Sequence, residues 1–312
     1  MKLSFVIPCY GSEKTIAGVV SELKQTVRSI PDCHYEIIMV SDASPDNVFQ
    51  VIEKICMEDP EHCKGAELAR NFGQHAALMA GYRMATGDYI LSLDDDGQAP
   101  VESVPQIIEA LKESDVAWGS YAQKRHSFFR NLGSKVNDWM AEILLGKPKD
   151  LHVTSFFGMR RFIRDEIVKY NNAYPYLLGL LLRATKNMTD VPVNHRARTE
   201  GRSGYTFGKL LRLWINGFTA FSVVPLRLAT LCGFFCAGLG AVGVVLCIVN
   251  KIIHPNAPMG YSSLMTVVTF IGGILMLMLG MIGEYIGRTY ICINQAPQYV
   301  IRTTTSEKSN RE

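Results

Sequence analysis

The chain has 312 residues, of which 48% are hydrophobic and 20% are charged, and its formal net charge is +3. This composition excludes a disordered or collagen-like chain and a small disulfide scaffold, and the low net charge disfavours nucleic-acid binding. The length suggests about two domains of roughly 150 residues each. The eight cysteines form no CxxC pair and no histidine follows them at zinc-finger spacing, so no structural metal site is indicated.

The first third of the chain alternates short apolar runs with longer amphipathic segments. Short apolar runs are typical of buried strands, and apolar residues at helical spacing indicate helices. This alternation predicts βαβ units and therefore an α/β fold with a mostly parallel sheet. The predicted strands span 3–7, 35–40, 66–69, 89–93 and 116–121, and the predicted helices span 15–30, 48–57, 74–85 and 101–112.

The middle of the chain is less regular, with an amphipathic segment at 128–145 and helices predicted at 164–170 and 176–184. The composition then becomes strongly apolar, and residues 228–249 and 264–283 carry no charge. Each run matches the roughly 20 residues that a helix needs to cross a bilayer. Together they predict two transmembrane helices near the C-terminal end of the sequence.

A short connector joins the two apolar runs, which predicts a hairpin whose outer ends lie on the same side of the membrane. Lysine and arginine are common on the outer flanks, whereas the connector carries only Lys251, so the flanks are expected in the cytoplasm. The segment before the hairpin mixes apolar residues with Lys209 and Arg212 and predicts an interfacial amphipathic helix, with a core helix as the alternative. The last ten residues, 303–312, are polar and expected to be frayed. The predicted organisation is a cytoplasmic α/β domain at 1–207, an interface helix at 208–225, a hairpin at 226–288 and a cytoplasmic tail at 289–312.

Three consecutive acids, Asp94, Asp95 and Asp96, directly follow the predicted strand 89–93. Ligands bind at the carboxyl ends of the strands in open parallel sheets, and carboxylates this close repel unless a cation compensates them. In extended backbone Asp94 and Asp96 face one side and Asp95 faces the other. This arrangement suits two carboxylates that share one hard divalent cation with phosphate oxygens. The alternative is a solvated acidic turn that caps the next helix.

Two further loops end at the same predicted edge of the sheet. Asp42 closes the second strand, where an acid can accept hydrogen bonds from a ribose or a base. The alternative for Asp42 is to cap the next helix, which Asp46 could do equally well. Tyr10 follows the first strand and is available to stack on a base. The sequence contains neither GxGxxG nor GxxxxGK[ST], so neither a dinucleotide site nor a P-loop is indicated.

A series of short motifs runs through nearly the whole chain. They are Val6-Ile7-Pro8 with Tyr10, Asp42 with Ser44 and Asp46, Arg70-Asn71-Phe72-Gly73-Gln74-His75, Gly81, Thr86-Gly87-Asp88, Asp94-Asp95-Asp96 with Gln98 and Pro100, Arg198 with Gly201, Ser203 and Tyr205, Pro225-Leu226-Arg227, and Gly283-Glu284-Tyr285-Ile286-Gly287-Arg288. In this order, and with two apolar C-terminal runs, the chain resembles family 2 glycosyltransferases of the GT-A fold. It is most similar to the polyprenyl-phosphate branch, which includes dolichol-phosphate mannose synthases, bactoprenol glucosyltransferases and undecaprenyl-phosphate aminoarabinose transferases.

The resemblance implies a Rossmann-like GT-A domain followed by a membrane hairpin in the inner, cytoplasmic membrane. It implies an inverting transfer of one sugar from a nucleotide-diphosphate sugar to a polyprenyl phosphate, most simply undecaprenyl phosphate, for modification of cell-surface glycans such as lipopolysaccharide. Asp94 and Asp96 would hold Mg²⁺ or Mn²⁺ on the diphosphate. The partners implied are the nucleotide sugar, the lipid and the membrane, and the family often assembles as homo-oligomers.

The resemblance also implies individual roles in the site. Asp42 would contact the nucleoside, and Gln98 would sit beside the sugar and act with Asp96 in catalysis. Arg125 and Arg198 would meet the acceptor phosphate, because a guanidinium fork bonds two phosphate oxygens at once. The other residues assigned to substrate binding are Pro8, Tyr10, Asn71, Gln74, Asp95, Arg202, Ser203 and Tyr205.

The chain departs from the family pattern at two places. Gly204 stands where the family has a lysine, and the neighbouring Arg202 could supply the missing charge. Thr154 stands where many relatives carry an aspartate proposed as the base, and Asp150 lies close by but out of register. A phosphate monoester has a second pKa of about 6 and needs little proton removal, whereas a hydroxyl acceptor needs a base. The alternatives are therefore a transferase that extends a polyprenyl-diphosphate-linked oligosaccharide and a non-catalytic scaffold that binds nucleotide sugar.

Overall fold

A computed structural model describes residues 1–121, 141–142, 146–194, 224–253 and 260–306. The chain divides into a larger unit, Met1–Gly217 with Gln295–Glu312, and a smaller unit, Phe218–Asn294. The helices and strands in chain order are β1 (Lys2–Cys9), α1 (Ile16–Arg28), β2 (His34–Ser41), α2 (Val48–Glu58), β3 (Cys63–Leu68), α3 (Gln74–Met84), β4 (Tyr89–Ser92), α4 (Val104–Glu113), β5 (Val116–Tyr121), β6 (Phe157–Arg160), α5 (Arg161–Ile167), α6 (Leu177–Ala184), β7 (Met188–Val193), α7 (Val224–Ile253), α8 (Tyr261–Ile293) and β8 (Ile301–Thr304).

The described part of the larger unit contains one eight-stranded sheet in the order β7-β5-β6-β4-β1-β2-β3-β8. Strand β1 pairs in parallel with β2 and β4, β2 pairs in parallel with β3, and β5 pairs in parallel with β7. Strand β6 runs antiparallel between β4 and β5, and β8 runs antiparallel to β3. The predicted α/β fold with a mostly parallel sheet is therefore confirmed.

Helices cover both faces of this sheet. Residues of α1, α2 and α4, including Leu23, Ile52 and Leu111, pack on one face in the main apolar core. Helix α3 covers the other face, where a Cβ added at Gly81 would lie 2.3 Å from Cγ1 of Val6. Only a glycine lets the backbone of α3 come this close to β1. Gln74, the first residue of α3, reaches the carboxyl end of β4 and donates a hydrogen bond to Asp94.

The sequence patterns did not predict β6 and β7. Strand β6 has only four residues, which is too short for a periodic signal, and it includes Gly158. A Cβ on Gly158 would lie 2.8 Å from side chains of Ile107 and Leu111, so the glycine permits the packing of α4. Strand β7 contains Pro192, a residue that disrupts central strands. Pro192 is tolerated because β7 lies at the edge of the sheet.

The segment that follows the second hairpin helix belongs to the larger unit. Residues 303–312 were expected to be frayed, but the first two of them belong to β8 (Ile301–Thr304) beside β3, and 307–312 lie outside the described residues. Without β8, strand β3 would present an unpaired edge to solvent. The backbone N–H of Ala69 donates to the carbonyl of Val300 at 2.8 Å, and the buried Gln298 donates to the carbonyls of Tyr170 and Asn172.

The smaller unit contains the two long helices α7 and α8, which include both predicted apolar runs. Among the described residues, the stretch Phe270–Ile293 is the one segment long and apolar enough to cross a membrane, and Ala229–Gly240 is a shorter apolar stretch. Large apolar side chains such as Phe234 and Met276 are each 74% exposed. The predicted interface helix at 208–225 falls almost entirely outside the described residues.

Candidate active site

The carboxyl ends of β1, β2 and β4 meet at one edge of the sheet, and the predicted site residues follow them. Asp94 comes two residues after the end of β4, and its Oδ1 accepts a hydrogen bond of 2.8 Å from Nε2 of Gln74, the first residue of α3. Burial and the negative charges of Asp96 and Asp95 raise the pKa of the Asp94 carboxyl, hydrogen bonds from Ser155 and Gln74 lower it, and the net result is a pKa of about 6. Burial and neighbouring negative charge therefore dominate the environment of Asp94.

Asp95 has a different orientation and fixes the loop after β1. Its Oδ2 accepts a hydrogen bond of 2.9 Å from the backbone N–H of Tyr10, and its carbonyl accepts one of 2.7 Å from the Thr15 hydroxyl. Burial raises the pKa of the Asp95 carboxyl. The described contacts of Asp95 thus hold the loop that carries Tyr10, whose side chain is 55% exposed at the end of β1.

Asp96 begins a tight turn at the same edge. Its Oδ1 accepts a hydrogen bond of 3.0 Å from the backbone N–H of Gln98. Gly97 between them has a φ of +73°, a left-handed conformation that favours glycine. The side chains of Asp96 and Gln98 are both partly exposed, and the negative charge of Asp96 acts on Asp94.

Asp42 is buried at the end of β2. Its Oδ1 accepts a hydrogen bond of 2.7 Å from the backbone N–H of Phe72, and its Oδ2 accepts one of 2.8 Å from that of Gly73. Burial raises the pKa of the Asp42 carboxyl, and these two bonds lower it. The described contacts of Asp42 therefore hold the loop before α3, which carries the exposed Asn71 and leads into Gln74. A contact with the nucleoside stays a prediction.

The loops after β1 and β2 are joined by hydrogen bonds. The backbone N–H of Gly11 donates to Oγ of Ser44 at 2.7 Å, and Ser44 donates to Oδ1 of Asp46. The backbone N–H of Glu13 donates to Oδ2 of Asp46 at 2.9 Å. Asp46 also accepts a 3.4 Å bond from Val48 N–H at the start of α2. Ser44 and Asp46 thus connect the two loops, and Asp46 also contacts the start of α2, the helix that it was expected to be able to cap.

Thr154 lies between β5 and β6. Its hydroxyl donates at 2.8 Å to the carbonyl of Gly119 and lies 3.0 Å from the carbonyl of Phe156. Both contacts use the hydroxyl as a donor, so Thr154 is placed as a structural residue and not as a proton acceptor. Asp150 is exposed in the preceding turn.

A cavity of about 260 Å³ adjoins Asp94, and no pattern in the sequence predicts it. It is lined by side chains from β1, α3, β5, β6 and α6 and from the loops between them, including His75, Trp118 and Tyr176. The buried Lys147 also lines it, and its Nζ donates to the carbonyl of Leu151 at 2.7 Å. His75 belongs to the motif Arg70-Asn71-Phe72-Gly73-Gln74-His75, but no sequence pattern predicts that Trp118 lines the same cavity.

The donor set at the edge fits a hard divalent cation. Within the described ranges, no three His, Cys, Asp or Glu side chains converge as a complete metal site would. A cation held by Asp94 and Asp96 would therefore take its other ligands from phosphate and water, which is the usual way that proteins bind Mg²⁺. The raised pKa of Asp94, caused in part by Asp95 and Asp96, reflects the negative charge that such a cation would offset.

The structure brings together Pro8, Tyr10, Asp42 and Asp94 to Gln98 at one edge, with Gln74 reaching it from α3. The predicted residues Arg125, Arg198, Arg202, Ser203 and Tyr205 all lie outside the described residues.

A comparison with family models matches residues 4–170 to glycosyl transferase family 2, which is more than half of the chain. The chain belongs to glycosyl transferase family 2. Residues 224–289 match the GtrB C-terminal hairpin, which coincides with α7 and most of α8. The predictions of a glycosyltransferase and of a hairpin after the GT-A domain are confirmed.

Similar curated proteins extend over nearly the whole chain. The undecaprenyl-phosphate 4-deoxy-4-formamido-L-arabinose transferase of Proteus mirabilis (strain HI4320) is 30% identical, with 98% of this chain and 95% of that protein covered. The transferase of the same name from Yersinia enterocolitica is also 30% identical, with 96% and 93% covered. These relatives place the family 2 chain in the polyprenyl-phosphate branch.

Solved structures support the fold. Glucosyl-3-phosphoglycerate synthase from Mycobacterium tuberculosis, in complex with phosphoglyceric acid, has a TM-score of 0.52 and is 16% identical, with 70% of this chain and 78% of that chain covered. The same enzyme with Mn²⁺ and uridine-diphosphate-glucose has a TM-score of 0.52 at 15% identity, with 74% and 79% covered. The predicted GT-A fold is confirmed.

Proposed function

We propose that this family 2 glycosyltransferase transfers one sugar from a nucleotide-diphosphate sugar to undecaprenyl phosphate. The observation that carries the proposal is the end-to-end similarity to the Proteus mirabilis transferase, whose name states undecaprenyl phosphate as the acceptor. The carboxylates of Asp94 and Asp96 at the sheet edge also support the proposal. They could hold a divalent cation that neutralises the charge on the departing nucleotide diphosphate.

Asp94 and Asp96 are the residues that would hold a Mg²⁺ or Mn²⁺ ion at this edge. Such a cation neutralises charge on a leaving diphosphate. Asp95 keeps the loop of Tyr10 against the edge, where the exposed ring can stack on a base. Asp42 fixes the start of α3, so that Gln74 stays within hydrogen-bonding distance of Asp94.

The described surroundings of Thr154 favour a phosphate acceptor over a hydroxyl acceptor. The Thr154 hydroxyl faces two carbonyl oxygens and offers no proton acceptor. A phosphate monoester is largely a dianion at neutral pH, since its second pKa is about 6, and it can attack the anomeric carbon without a base. A sugar hydroxyl would need one. Arg125, Arg198 and Arg202 are proposed to orient the acceptor phosphate.

The hairpin is proposed to hold the enzyme in the inner membrane, with the larger unit in the cytoplasm. The apolar side chains of α7 and α8 are largely exposed, which suits a lipid environment. Undecaprenyl phosphate carries its phosphate at the level of the lipid headgroups. An enzyme anchored in the membrane would therefore work next to its acceptor.

The test uses purified full-length protein in detergent with undecaprenyl phosphate, MnCl₂ and a panel of sugar nucleotides, with the lipid product identified by mass spectrometry. A polyprenyl monophosphate sugar is the expected product. Asp96→Asn should abolish transfer, whereas Asp165→Asn, a matched change at a 52% exposed carboxylate on α5, should leave it unchanged. An extended oligosaccharide on a lipid diphosphate, or full activity of Asp96→Asn, would contradict the proposal.

A further inference from the structure

The C-terminal segment, residues 295–305, follows α8, includes β8 and contacts two loops that border the candidate active site. We infer that Arg302 and Gln298 of this segment are positioning residues, which fix Gln74 and one wall of the cavity beside Asp94. The inference rests on the proposed function, since the activity that it concerns is the proposed sugar transfer.

The first loop, 69–73, is held at its start by the C-terminal segment. Strand β8 begins beside the last residue of β3, so the segment joins the sheet at the carboxyl end of β3. The backbone N–H of Ala69 donates to the carbonyl of Val300 at 2.8 Å, and the carbonyl of Ala69 accepts a 2.9 Å bond from Nη2 of Arg302. The segment therefore binds both backbone polar groups of the first residue in the loop.

The other end of this loop leads directly to the carboxylates. The backbone N–H of Gly73 donates to Asp42 at 2.8 Å, and the next residue, Gln74, donates to Oδ1 of Asp94 at 2.8 Å. A short loop that is held at both ends leaves Gln74 little freedom to move away from the carboxylate. The contact of Arg302 with the start of the loop therefore supports the position of Gln74.

The second loop, 168–176, connects α5 to α6 and is held by Gln298. This glutamine is 6% exposed, and its Nε2 donates to the carbonyls of Tyr170 and Asn172 at 3.3 and 3.1 Å. Further along the same loop, Tyr176 lines the cavity of the candidate active site. Gln298 therefore fixes the loop that forms one wall of that cavity.

Arg83, in the last turn of α3, ties the second loop to the segment. Its Nη2 donates to the carbonyl of Val168 at 3.2 Å and to Oδ1 of Asn171, and its guanidinium lies 5.3 Å from the ring centroid of Tyr299. A guanidinium within about 6 Å of an aromatic ring centroid is attracted to the ring. Helix α3 is thus linked to the C-terminal segment through the loop before it and through its own last turn.

The hydrogen bonding of Gln298 favours a positioning role over a purely stabilising one. Its Oε1 is buried and has no hydrogen-bond partner within the described part of the chain. A buried polar atom without a partner costs free energy, so an apolar side chain of similar length would serve stability as well. What the glutamine adds is a pair of directional bonds that specify where the loop lies.

The experiment measures binding and turnover separately with the purified full-length protein. Transfer to undecaprenyl phosphate gives kcat and KM for the donor that the wild type uses best. Calorimetry with MnCl₂ gives the dissociation constants of UDP, GDP, CDP and dTDP, and the diphosphate that the wild type binds most tightly is then used for every variant. Urea unfolding of each variant gives its stability.

The two loops predict different kinetic effects. Arg302→Met should raise the donor KM and the dissociation constant of the diphosphate about tenfold, because Gln74 would no longer hold the carboxylate of Asp94 that meets the cation and the diphosphate. Gln298→Met should lower kcat about tenfold and change KM less, because its loop shapes the cavity beside the reacting groups. A displacement of about 1 Å at such a place can cost up to about a hundredfold in rate.

Conservative variants should recover part of the lost activity. Arg302→Lys keeps a donor for the carbonyl of Ala69, and Gln298→His keeps a nitrogen donor for the second loop. Glu67→Gln removes the carboxylate that lies 3.8 Å from the guanidinium of Arg302 but leaves the bond to Ala69. This variant should therefore keep wild-type kinetics.

The matched control is Thr305→Val, which weakens the same segment at a different place. The Thr305 hydroxyl accepts a 3.0 Å bond from the backbone N–H of Gly65, which lies before the carboxyl end of β3. Thr305→Val should lower stability in urea without changing kcat, KM or the dissociation constant more than twofold.

The inference is overturned if Arg302→Met and Gln298→Met keep wild-type kinetics and binding, or if Thr305→Val lowers activity as much as they do at a similar loss of stability. Should a methionine variant fail to fold, Arg302→Lys or Gln298→His takes its place, and a change no larger than that of Thr305→Val then contradicts the inference. A failure of the proposed function looks different, because even the wild type would then transfer no donor to undecaprenyl phosphate. The dissociation constants of the same variants would still decide the role of Arg302 in that case.

Discussion

Asp42 and Gly73 are joined by a 2.8 Å hydrogen bond from the backbone N–H of Gly73 to Oδ2 of Asp42. Gly73 directly precedes α3 and has a φ of +95°, so the carboxylate at the end of β2 fixes a left-handed turn at the start of a helix. Gln74, the next residue, reaches Asp94. The carboxylate at the end of β2 thereby helps to position the Gln74 side chain that contacts Asp94 after β4.

Asp42→Asn should weaken this turn. An asparagine amide can accept one of the two backbone bonds, but its NH₂ group then faces the other N–H donor. Leaving that buried donor unpaired costs about 1–3 kcal/mol. Urea unfolding is expected to show this loss, and calorimetry should show weaker binding of the sugar nucleotide. Unchanged stability would contradict the anchoring role, and Asp165→Asn is the control.

The lowered pKa of Glu36 predicts that the free energy of unfolding decreases in acid. Burial raises the pKa of its carboxyl, but hydrogen bonds from Lys64, Ser4 and Thr86 outweigh this and lower it to about 2 from 4.5. Because the folded-state pKa is depressed, the stabilisation is present above pH 4.5 and is lost as the pH falls towards 2. The difference corresponds to about 3 kcal/mol at most.

Urea unfolding between pH 7 and pH 2.5 measures this contribution. Glu36→Gln should lower the free energy of unfolding at pH 7 and should flatten its dependence on pH below 4.5. The control is Glu109→Gln, at a side chain that is 72% exposed. An equally steep acid dependence in Glu36→Gln would show that other carboxylates cause the loss.

Gly81→Ala should destabilise the contact between α3 and β1. The added Cβ would lie 2.3 Å from Cγ1 of Val6, and overpacking of this kind costs about 1–3 kcal/mol. Val6→Ala in the same chain should recover part of the loss. Gly18→Ala in α1, where a Cβ meets nothing within 4 Å, should be neutral or stabilising by about 1 kcal/mol. Thermal unfolding of the four proteins gives the comparison.

Thr154→Val tests whether this residue takes part in proton transfer. Its hydroxyl donates to a carbonyl, so the isosteric change should cost about 1 kcal/mol of stability and alter kcat by only a few fold. Steady-state kinetics with undecaprenyl phosphate measures the effect. A loss of a hundredfold or more in kcat, with the fold intact, would show that Thr154 takes part in catalysis.

Thr305→Val tests the attachment of the C-terminal segment. The hydroxyl of Thr305 accepts a 3.0 Å hydrogen bond from the backbone N–H of Gly65 in β3. Losing the acceptor leaves this buried N–H unpaired, at a cost of about 1–2 kcal/mol. Thr303→Val is the matched control, since the Thr303 hydroxyl makes no hydrogen bond to described residues. Equal stability of the two variants in urea would contradict the role of Thr305.

The parallel core of the sheet could be predicted because its strands are continuous apolar runs separated by amphipathic helices. The acids after β4 could be placed at the edge for the same reason. Their expected alternation assumed extended backbone, whereas β4 ends at Ser92 and the chain turns at Asp95 and Asp96. Strands β6 and β7 could not be predicted, since one is four residues long and the other contains Pro192. Strand β8 could not be predicted either, because its Ile301 pairs with Leu68 of β3, 233 positions earlier in the chain. Pairing over this distance leaves no pattern in the local sequence.

The site was predicted less completely than the fold. The types of residue at the edge were evident, but their partners were not, because hydrogen bonds such as those of Asp42 and Asp95 depend on which loops meet. The cavity of Trp118 and His75 brings together side chains from β5 and α3, which are distant in sequence. Only the folded chain brings these two residues to the same cavity.

The pairing of β8 with β3 makes the hairpin an insertion within the larger unit, since the final strand of that unit is encoded after α7 and α8. Cutting the gene after residue 217 would therefore discard a sheet strand along with the hydrophobic helices. A water-soluble catalytic domain is better obtained by replacing residues 218–294 with a flexible linker that keeps the last strand.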